Sequence, residues 1–335
     1  MPKFVKGLGI GVFVLVILAV VGISAAIGWR PFIGPRSRAL TDRKFEATPE
    51  RLIRGAYLAE HVAVCTYCHT PQEEGPNGPE VVPPKKGGGQ VFPIPGLPGT
   101  LVAPNITADR ETGIGNFTDD QLARAIREGI SHDGQTLFPM MPYSHYRRMS
   151  DEDVASVVVY LRTLPPLRNP LPRTNIQFPV KYLIRGVPQP VTETVQADLS
   201  TPVSRGEYLV NLSVCSECHT PRKRGRPDPT MKFAGGQSFD PSGKIVSPNI
   251  TPDATGIGNY TEEVFVKVMR TGYIGKRQLS TAMPWQFYSG QTDEDLKAMY
   301  AYLRAVPPVS HRVDNTQSPT ACKKCGEKHG AGDSN

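Results

Sequence analysis

Two stretches of the sequence carry cysteine and histidine at the same short spacing. VCTYCHTP at residues 64–71 returns as VCSECHTP at residues 214–221, in a chain with only six cysteines. Cys-x-x-Cys-His is the attachment pattern of a c-type haem. Thiols three residues apart on a helical turn can each form a thioether with a haem vinyl group, and the next His ligates the iron. The pattern predicts two covalent haems, one on Cys65, Cys68 and His69 and the other on Cys215, Cys218 and His219.

Paired cysteines also occur in zinc sites and in redox-active motifs. Here the two pairs lie 146 residues apart and each has its own His, unlike the short spacing of a zinc ribbon. A thioredoxin-type pair expects a βαβ context, which is absent, and gives the adjacent His no role. Both alternatives therefore explain less of the pattern than haem attachment does.

The sixth iron ligand decides whether such a site binds substrate or only passes electrons. Among the methionines, Met141 and Met283 occupy equivalent positions in Pro-flanked loops downstream of the motifs. His145 is another candidate in the first half, but its counterpart is Phe287. The register therefore predicts His/Met ligation at both irons, which raises the reduction potential and leaves no position for a small-molecule substrate.

A repeated PNIT segment offers a partner for each axial histidine. The main-chain carbonyl of Pro104 or Pro248 could accept the free ring N–H of His69 or His219, fixing the orientation and basicity of the imidazole. The alternative is that PNIT is only a turn.

The elements around these motifs repeat as well, which indicates an internal duplication. Three further pairs match in order: RGAYL at Arg54 with RGEYL at Arg205; PNITADRETGIGNFT with PNITPDATGIGNYT; and 26 residues from Met141 with 26 from Met283, without a gap.

Each unit is predicted to contain three helices joined by loops rich in Pro and Gly. The first helices cover about 50–64 and 202–214. The second follow the caps Thr118 and Thr261 and end near Gly129 and Gly272; the third follow Ser150 and Thr292 and stop at the Pro pairs 165–166 and 307–308. The predicted class is all-α.

The chain divides into five segments on this basis. They are a membrane anchor with a juxtamembrane linker (1–45), a first domain (46–168), a Pro-rich linker (169–201), a second domain (202–310) and a flexible tail (311–335).

The N-terminus contains a long apolar segment. Residues 7–29 carry no charge over 23 positions, which is enough to span a bilayer and longer than the apolar core of a usual signal peptide. An uncleaved transmembrane helix is the expectation, with cleavage after Ala26 as the alternative. Basic residues on both sides leave the orientation open.

The repeated unit resembles the class I cytochrome c fold, and the run from PNIT to YLR-x-LPP is similar to the haem subunits of membrane-bound alcohol, aldehyde and gluconate dehydrogenases. The resemblance covers residues 50–167 and 202–309. It implies that the first and last helices of each unit cross at a glycine and an aromatic residue, which are Gly55 with Tyr160 and Gly206 with Tyr302.

The tail departs from that family, in which many members carry a third haem. Only 27 residues follow Pro308, and they contain CKKCGEKH, in which His329 comes too late for the attachment pattern. A disulfide or free thiols at Cys322 and Cys325, metal capture by these thiols with His329, and a nonstandard third haem remain as alternatives.

These features together predict an electron carrier rather than an enzyme. The expected function is transfer of electrons from a membrane-bound dehydrogenase or quinol-oxidising complex to a terminal acceptor; a dihaem peroxidase is the alternative. Covalent haem attachment places the domains in the periplasm of a bacterial cell, tethered to the inner membrane by one helix. The net charge of +7 is spread along the chain, which does not favour a nucleic-acid partner.

Overall fold

The fold is taken from a computed structural model, which describes residues 2–76, 78–94, 96–223, 225–240 and 242–335. Its α-helices are α1 Pro2–Ile27, α2 Arg30–Ile33, α3 Pro49–Tyr57, α4 Cys65–Cys68, α5 Asp119–Glu128, α6 Tyr143–Tyr146, α7 Asp151–Leu161, α8 Val180–Leu183, α9 Pro202–Leu212, α10 Cys215–His219, α11 Glu262–Thr271, α12 Trp285–Tyr288 and α13 Asp293–Ala305.

The predicted caps start and end the longer helices. Thr118, Ser150, Thr261 and Thr292 each accept a hydrogen bond from the backbone N–H three residues on, which satisfies one of the free donors at a helix start. Helices α5 and α11 end at left-handed glycines, at positions 129 and 272, where the positive φ favours a residue without a Cβ. The three predicted helices of each repeat are thus confirmed.

Short strands lie in the loops between these helices. They are β1 Gln72–Gly75, β2 Gly78–Val81, β3 Gln90–Phe92, β4 Gly99–Ala103, β5 Asn175–Ile176, β6 Arg222–Lys223, β7 Arg226–Pro227, β8 Tyr273–Ile274, β9 Arg277–Gln278, β10 Pro319–Ala321 and β11 Lys328–Gly330. Within the described residues they form one three-stranded sheet, in the order β3-β4-β5, and four two-stranded hairpins, and all pairs are antiparallel. The all-α prediction is not confirmed: helices form the core, but the backbone groups of these loops pair locally in short antiparallel ladders.

The first and last helices of each repeat cross at a glycine. A Cβ on Gly55 would lie 1.9 Å from the carbonyl oxygen of Ser156 and 2.7 Å from Cβ of Tyr160. A Cβ on Gly206 would lie 1.9 Å from the carbonyl oxygen of Ala298. The two backbones therefore touch at both crossings, which confirms the contact that the family resemblance implies.

One turn distinguishes the two repeats. After α3 the chain continues as a π-helix from Leu58 to Val62, closed by a 2.7 Å hydrogen bond from Ala63 N to Leu58 O. The first repeat has one residue more between its RG-x-YL segment and its first cysteine than the second repeat has. The wider π turn absorbs this extra residue, so the cysteine motif keeps its position on the core.

Reciprocal hydrogen bonds join the two repeats. The hydroxyl of Tyr57 donates to Asp295, and the hydroxyl of Tyr208 donates to Asp153 over 2.7 Å. Within its own repeat each aspartate also binds an arginine, over 2.8 Å from Nε of Arg54 to Asp153 and 2.6 Å from Nε of Arg205 to Asp295. The two repeats also share one hydrophobic core, which includes Leu58, Val157, Leu209, Phe265 and Leu296.

The chain after the N-terminal helix docks on the first repeat. In α1, the window Ile10–Ile27 has a mean hydropathy of 3.0 and is almost fully exposed, so by length and composition it could cross a membrane or serve as a signal sequence. Farther on, Arg38 and Arg43 each bind the buried carboxylate of Asp120, both at 2.6 Å. Arg38 also binds Glu128 at 2.8 Å. These basic residues are thus paired within the protein.

The linker and the tail both contain regular structure. Residues 169–201 include β5, α8 and a 3-10 turn at Ile184–Gly186. The structure differs from the expectation of a flexible tail at residues 311–335. There β10 and β11 form a hairpin, and a 3-10 turn follows at Gly332–Ser334.

Candidate haem sites

Each cysteine motif begins at a strained valine and forms one helical turn. Val64 has φ +42° and Val214 has φ +50°, a left-handed conformation that is costly for a β-branched residue. Hydrogen bonds of 3.0 Å from Tyr67 N to Val64 O and 2.9 Å from Glu217 N to Val214 O hold these turns. Both motifs therefore begin at a sharp bend of the backbone that follows the first helix of the repeat.

The histidine of each motif is oriented by the carbonyl that the sequence predicted. Nδ1 of His69 lies 2.7 Å from the carbonyl oxygen of Pro104, and Nδ1 of His219 lies 2.8 Å from that of Pro248. A carbonyl only accepts, so Nδ1 carries the proton and Nε2 keeps its lone pair for a metal. Burial lowers the pKa of both histidines, although the bond to the carbonyl opposes this shift.

The PNIT turn is itself held rigidly, which the sequence reasoning missed. The side-chain oxygen of buried Asn105 accepts from the backbone N–H of Thr107 over 2.9 Å, and its amide donates to the carbonyl of Leu167 over 2.6 Å. Asn249 repeats both interactions with Thr251 and Val309, at 2.9 and 2.8 Å. The exact repetition of PNIT in the sequence is the signal that could have indicated this role.

The candidate ligands of both repeats line one continuous cavity of about 1760 Å³. This volume exceeds the range of about 300–1,000 Å³ that is usual for one small-molecule site. The predicted residues on its wall are Cys65, Cys68, His69, Pro104 and Met141 from the first repeat and Cys215, Cys218, His219, Pro248 and Met283 from the second. The structure thus brings together every residue that the sequence proposed for the two sites.

The four thiols are partly buried, which favours their uncharged form. Burial raises the pKa of Cys65 and Cys215 to about 12. It raises the pKa of Cys68 and Cys218 to about 11, and for Cys68 the nearby Cys218 adds to the effect. The attachment points of the two repeats therefore lie close enough to interact.

His145, the alternative axial ligand, is engaged elsewhere. Its Nε2 lies 2.7 Å from Glu217 Oε1 and its Nδ1 lies 3.1 Å from Asn211 Oδ1, both in the second repeat. With both ring nitrogens occupied by this contact, His145 is a poorer candidate than Met141. Met269 and Met299, which have no methionine counterpart in the other repeat, are buried in the hydrophobic core.

The residues present fit a c-type haem in each repeat. Two thiols and an oriented imidazole come from a single turn, and a methionine lines the same cavity. A haem bound there would be held by thioethers at the cysteines and by Nε2 of the histidine.

Comparisons with known proteins agree with this assignment. A family model described as cytochrome c matches residues 54–165. The cytochrome c subunit of the alcohol dehydrogenase (quinone) of Gluconobacter oxydans is 34% identical over 277 residues, which are 76% of this chain and 55% of that protein. The fructose dehydrogenase cytochrome subunit of Gluconobacter japonicus is 34% identical over 272 residues, 76% of this chain and 52% of that protein.

The chain spans about half the length of these two dehydrogenase subunits. It covers more of a third relative, a "diheme cytochrome c-type" of Cereibacter sphaeroides, with 34% identity over 228 residues, 63% of this chain and 73% of that protein. The chain therefore belongs to the cytochrome c family, whose members carry covalently bound c-type haem.

Proposed function

We propose that this chain is a membrane-tethered dihaem electron carrier, built from two tandem cytochrome c domains at residues 46–168 and 202–310. It accepts electrons from a membrane-bound dehydrogenase or quinol-oxidising complex and passes them to a terminal acceptor. The observation that carries this proposal is the duplicated set of two cysteines, a histidine and a methionine on the wall of one cavity.

A c-type haem supplies one-electron Fe(III)/Fe(II) chemistry when it is bound. The contribution of the chain is to hold it and to keep other ligands away. His69 and His219 are fixed through their Nδ1 protons, so that Nε2 has one orientation. Met141 and Met283 are the proposed second ligands, and a neutral thioether would favour the reduced state of the iron. A haem held in this way by a histidine and a methionine would leave no place for a substrate at the iron.

The nearness of the two repeats supports electron transfer within the molecule. Tyr67, inside the first cysteine motif, packs edge-on against Phe287 of the second repeat, with ring centroids 5.4 Å apart. Glu217, inside the second motif, binds His145 of the first repeat. Both motifs therefore face the contact between the repeats, which favours transfer from one haem to the other before an electron leaves the protein.

The proposed partner rests on the printed names of the relatives, which include subunits of alcohol, fructose and gluconate dehydrogenases. The apolar helix α1 is the proposed tether in the bacterial inner membrane, with the haem domains in the periplasm. A tether confines the search for a membrane-bound partner to the surface and raises its effective concentration. Deleting residues 1–29 should slow reduction in membranes but leave both haem potentials unchanged; equal rates at matched concentration would exclude the tether.

The axial assignment is tested by a matched pair of neighbouring substitutions. Met141→His should abolish the weak sulfur-to-iron charge-transfer band of one haem and lower its potential, because imidazole stabilises Fe(III) better than a thioether does. Met140→His, at an adjacent residue that is 39% exposed, is the control and should leave the band and the potential unchanged. Loss of the band in the control alone would contradict the assignment.

The haem count and the enzyme alternative are tested on the same preparation. Mass spectrometry of the denatured protein should show two haem increments, and Cys65→Ala with Cys68→Ala should leave one. A dihaem peroxidase needs an iron with an open or openable axial position, so rapid turnover of hydrogen peroxide by the wild-type protein would favour that enzyme over the carrier.

A further inference from the structure

Four side chains near the C-terminus converge outside the haem-ligand set. Ligand atoms of His311, Cys322, Cys325 and His329 all lie within 4.8 Å of one another. Three of these residues come from the CKKCGEKH segment, whereas His311 lies before the tail hairpin. The two imidazoles are fully buried and Cys322 is almost so. Such a closed set of two thiols and two imidazoles is typical of structural metal sites.

Both histidines are already oriented for a metal. Nδ1 of His311 lies 2.8 Å from the carbonyl oxygen of Ala234, and Nδ1 of His329 lies 3.0 Å from that of Gly330. The carbonyls fix the proton on Nδ1, so Nε2 of each ring presents a lone pair to the cluster. These are the backbone contacts that support histidine ligands in metal proteins.

The distances between nitrogen and sulfur fit a tetrahedral ion. Nε2 of His311 lies 3.4 Å from Sγ of Cys322, and Nε2 of His329 lies 3.5 Å from Sγ of Cys325. With bonds of about 2.3 Å to sulfur and 2.0–2.1 Å to nitrogen, a tetrahedral zinc site separates these atoms by about 3.6 Å. The space between the four side chains therefore matches one metal ion and is too small for a porphyrin.

The surrounding chain is shaped to bring the ligands together. The cysteines lie on a turn closed by bonds from Cys322 N to Glu327 O, 2.9 Å, and from Gly326 N to Cys322 O, 3.1 Å. Gly236, at φ +94°, packs against the site from the second repeat, where a Cβ would lie 2.7 Å from Cε1 of His311. A larger residue would push this imidazole out of the cluster.

We propose that His311, Cys322, Cys325 and His329 bind one structural Zn²⁺. Mixed sulfur and nitrogen ligands in a closed tetrahedral set select zinc over harder ions such as Mg²⁺ or Ca²⁺. Binding releases the two thiol protons to solvent, and Zn²⁺ with two thiolates and two neutral imidazoles has no net charge. A neutral centre is compatible with the burial of these side chains.

The ion fastens the tail to the loop beside the second haem site. His311 is held by Ala234, and the next residue, Gly235, donates a 2.7 Å hydrogen bond to the carbonyl oxygen of His219. The side chain of Asn315 exchanges hydrogen bonds of 3.1 and 2.8 Å with the backbone of Val246, two residues before Pro248. The metal site thus stabilises the backbone on the His219 side of that haem.

The test measures zinc and iron in full-length, haem-loaded protein purified in detergent with Zn²⁺ present and then desalted. Wild type should hold one zinc per chain beside the haem iron. Cys325→Ser should hold none with its iron unchanged, and Lys323→Ser, in the same turn, should match wild type. X-ray absorption spectra at the zinc edge of the wild-type protein should show two sulfur and two nitrogen neighbours. This measurement does not depend on the folding of any variant.

A Cys322–Cys325 disulfide in the native protein, absence of zinc from the wild type, or equal zinc in Cys325→Ser and wild type would each overturn the proposal. The iron count keeps this result separate from the haem assignment, because the two cysteines concerned belong to neither haem motif.

Discussion

Gly206→Ala should destabilise the second repeat and spare the first. Gly206 lies where α9 crosses α13, and its new Cβ would lie 1.9 Å from the carbonyl oxygen of Ala298 and 2.8 Å from Cβ of Tyr302. Since Cβ contacts under 3.0 Å essentially do not occur, the oxygen must retreat by at least 1.1 Å (3.0 − 1.9). The oxygen belongs to the backbone of a helix, so the helix must move as a unit.

The cost follows from the packing that this movement disrupts. Overpacking a core costs about 1–3 kcal/mol, and a rigid backbone neighbour places this case near the upper end. Replacing a helical Gly by Ala also stabilises the helix by about 1 kcal/mol, because Ala has the higher helix propensity. The expected net loss is therefore about 2 kcal/mol in the free energy of unfolding, and the melting temperature should fall by roughly 10 °C.

Thermal unfolding measures the loss of stability of the whole protein, and hydrogen exchange shows which repeat is destabilised. Peptides from α9 and α13 should lose protection in Gly206→Ala, whereas peptides from α3 and α7 should keep it. Gly186→Ala is the matched control, because a Cβ there meets no atom within 4 Å. The reasoning is refuted if Gly206→Ala and Gly186→Ala have the same melting temperature, or if both repeats lose protection from exchange equally.

Three further predictions concern polar contacts outside the cavity. Arg38→Met should lower the free energy of unfolding by about 3 kcal/mol in denaturant melts, because the buried carboxylate of Asp120 loses one partner. Arg36→Met is the control and should have little effect, because the contact of Arg36 is exposed. Burial raises the pKa of Asp120, but the hydrogen bonds from Arg38 and Thr41 and the charges of Arg38 and Arg43 together outweigh it and hold that pKa at about 2. Since the unfolded value is about 3.9, this stabilisation is present above pH 4 and is lost as the pH falls toward 2; an acid titration of wild type and Asp120→Asn checks it. Tyr208→Phe should cost about 1–3 kcal/mol by removing the donor to buried Asp153, and unchanged stability would contradict the role given to that contact.

Local chemistry explains what could be predicted from the sequence. Caps such as Thr118 and Ser150 satisfy helix donors within three residues, so the sequence contains both the cap and its partner. The carbonyl of Pro104 was also predictable as a partner for His69, because repetition preserved both segments in the same order. Each of these inferences uses residues that lie within a repeated segment.

Contacts between distant segments explain what was missed. His311 lies 11 residues before Cys322 and outside the CKKCGEKH segment, so only the folded hairpin brings it to the thiols. The π-helix was signalled by a change in the repeat offset from 151 at Arg54 to 150 at Cys65, which a search for matching segments overlooks. The pairing of Tyr57 with Asp295 spans 238 residues and involves types common in any helix.

The reciprocal contacts of Tyr57 with Asp295 and Tyr208 with Asp153 have the form of an isologous interface, in which each unit offers its partner the same patch. A true homodimer would carry every substitution twice, once on each side of its two-fold axis. Here the axis relates two parts of a single polypeptide, so each half can change alone. The chain shows that freedom: the extra residue of the π turn and the docking of Arg38 belong to the first half, and the cysteine-containing hairpin belongs to the second. The two haems proposed for this pseudosymmetric pair could thereby be tuned to different potentials, which would give electrons a direction that identical subunits could not provide.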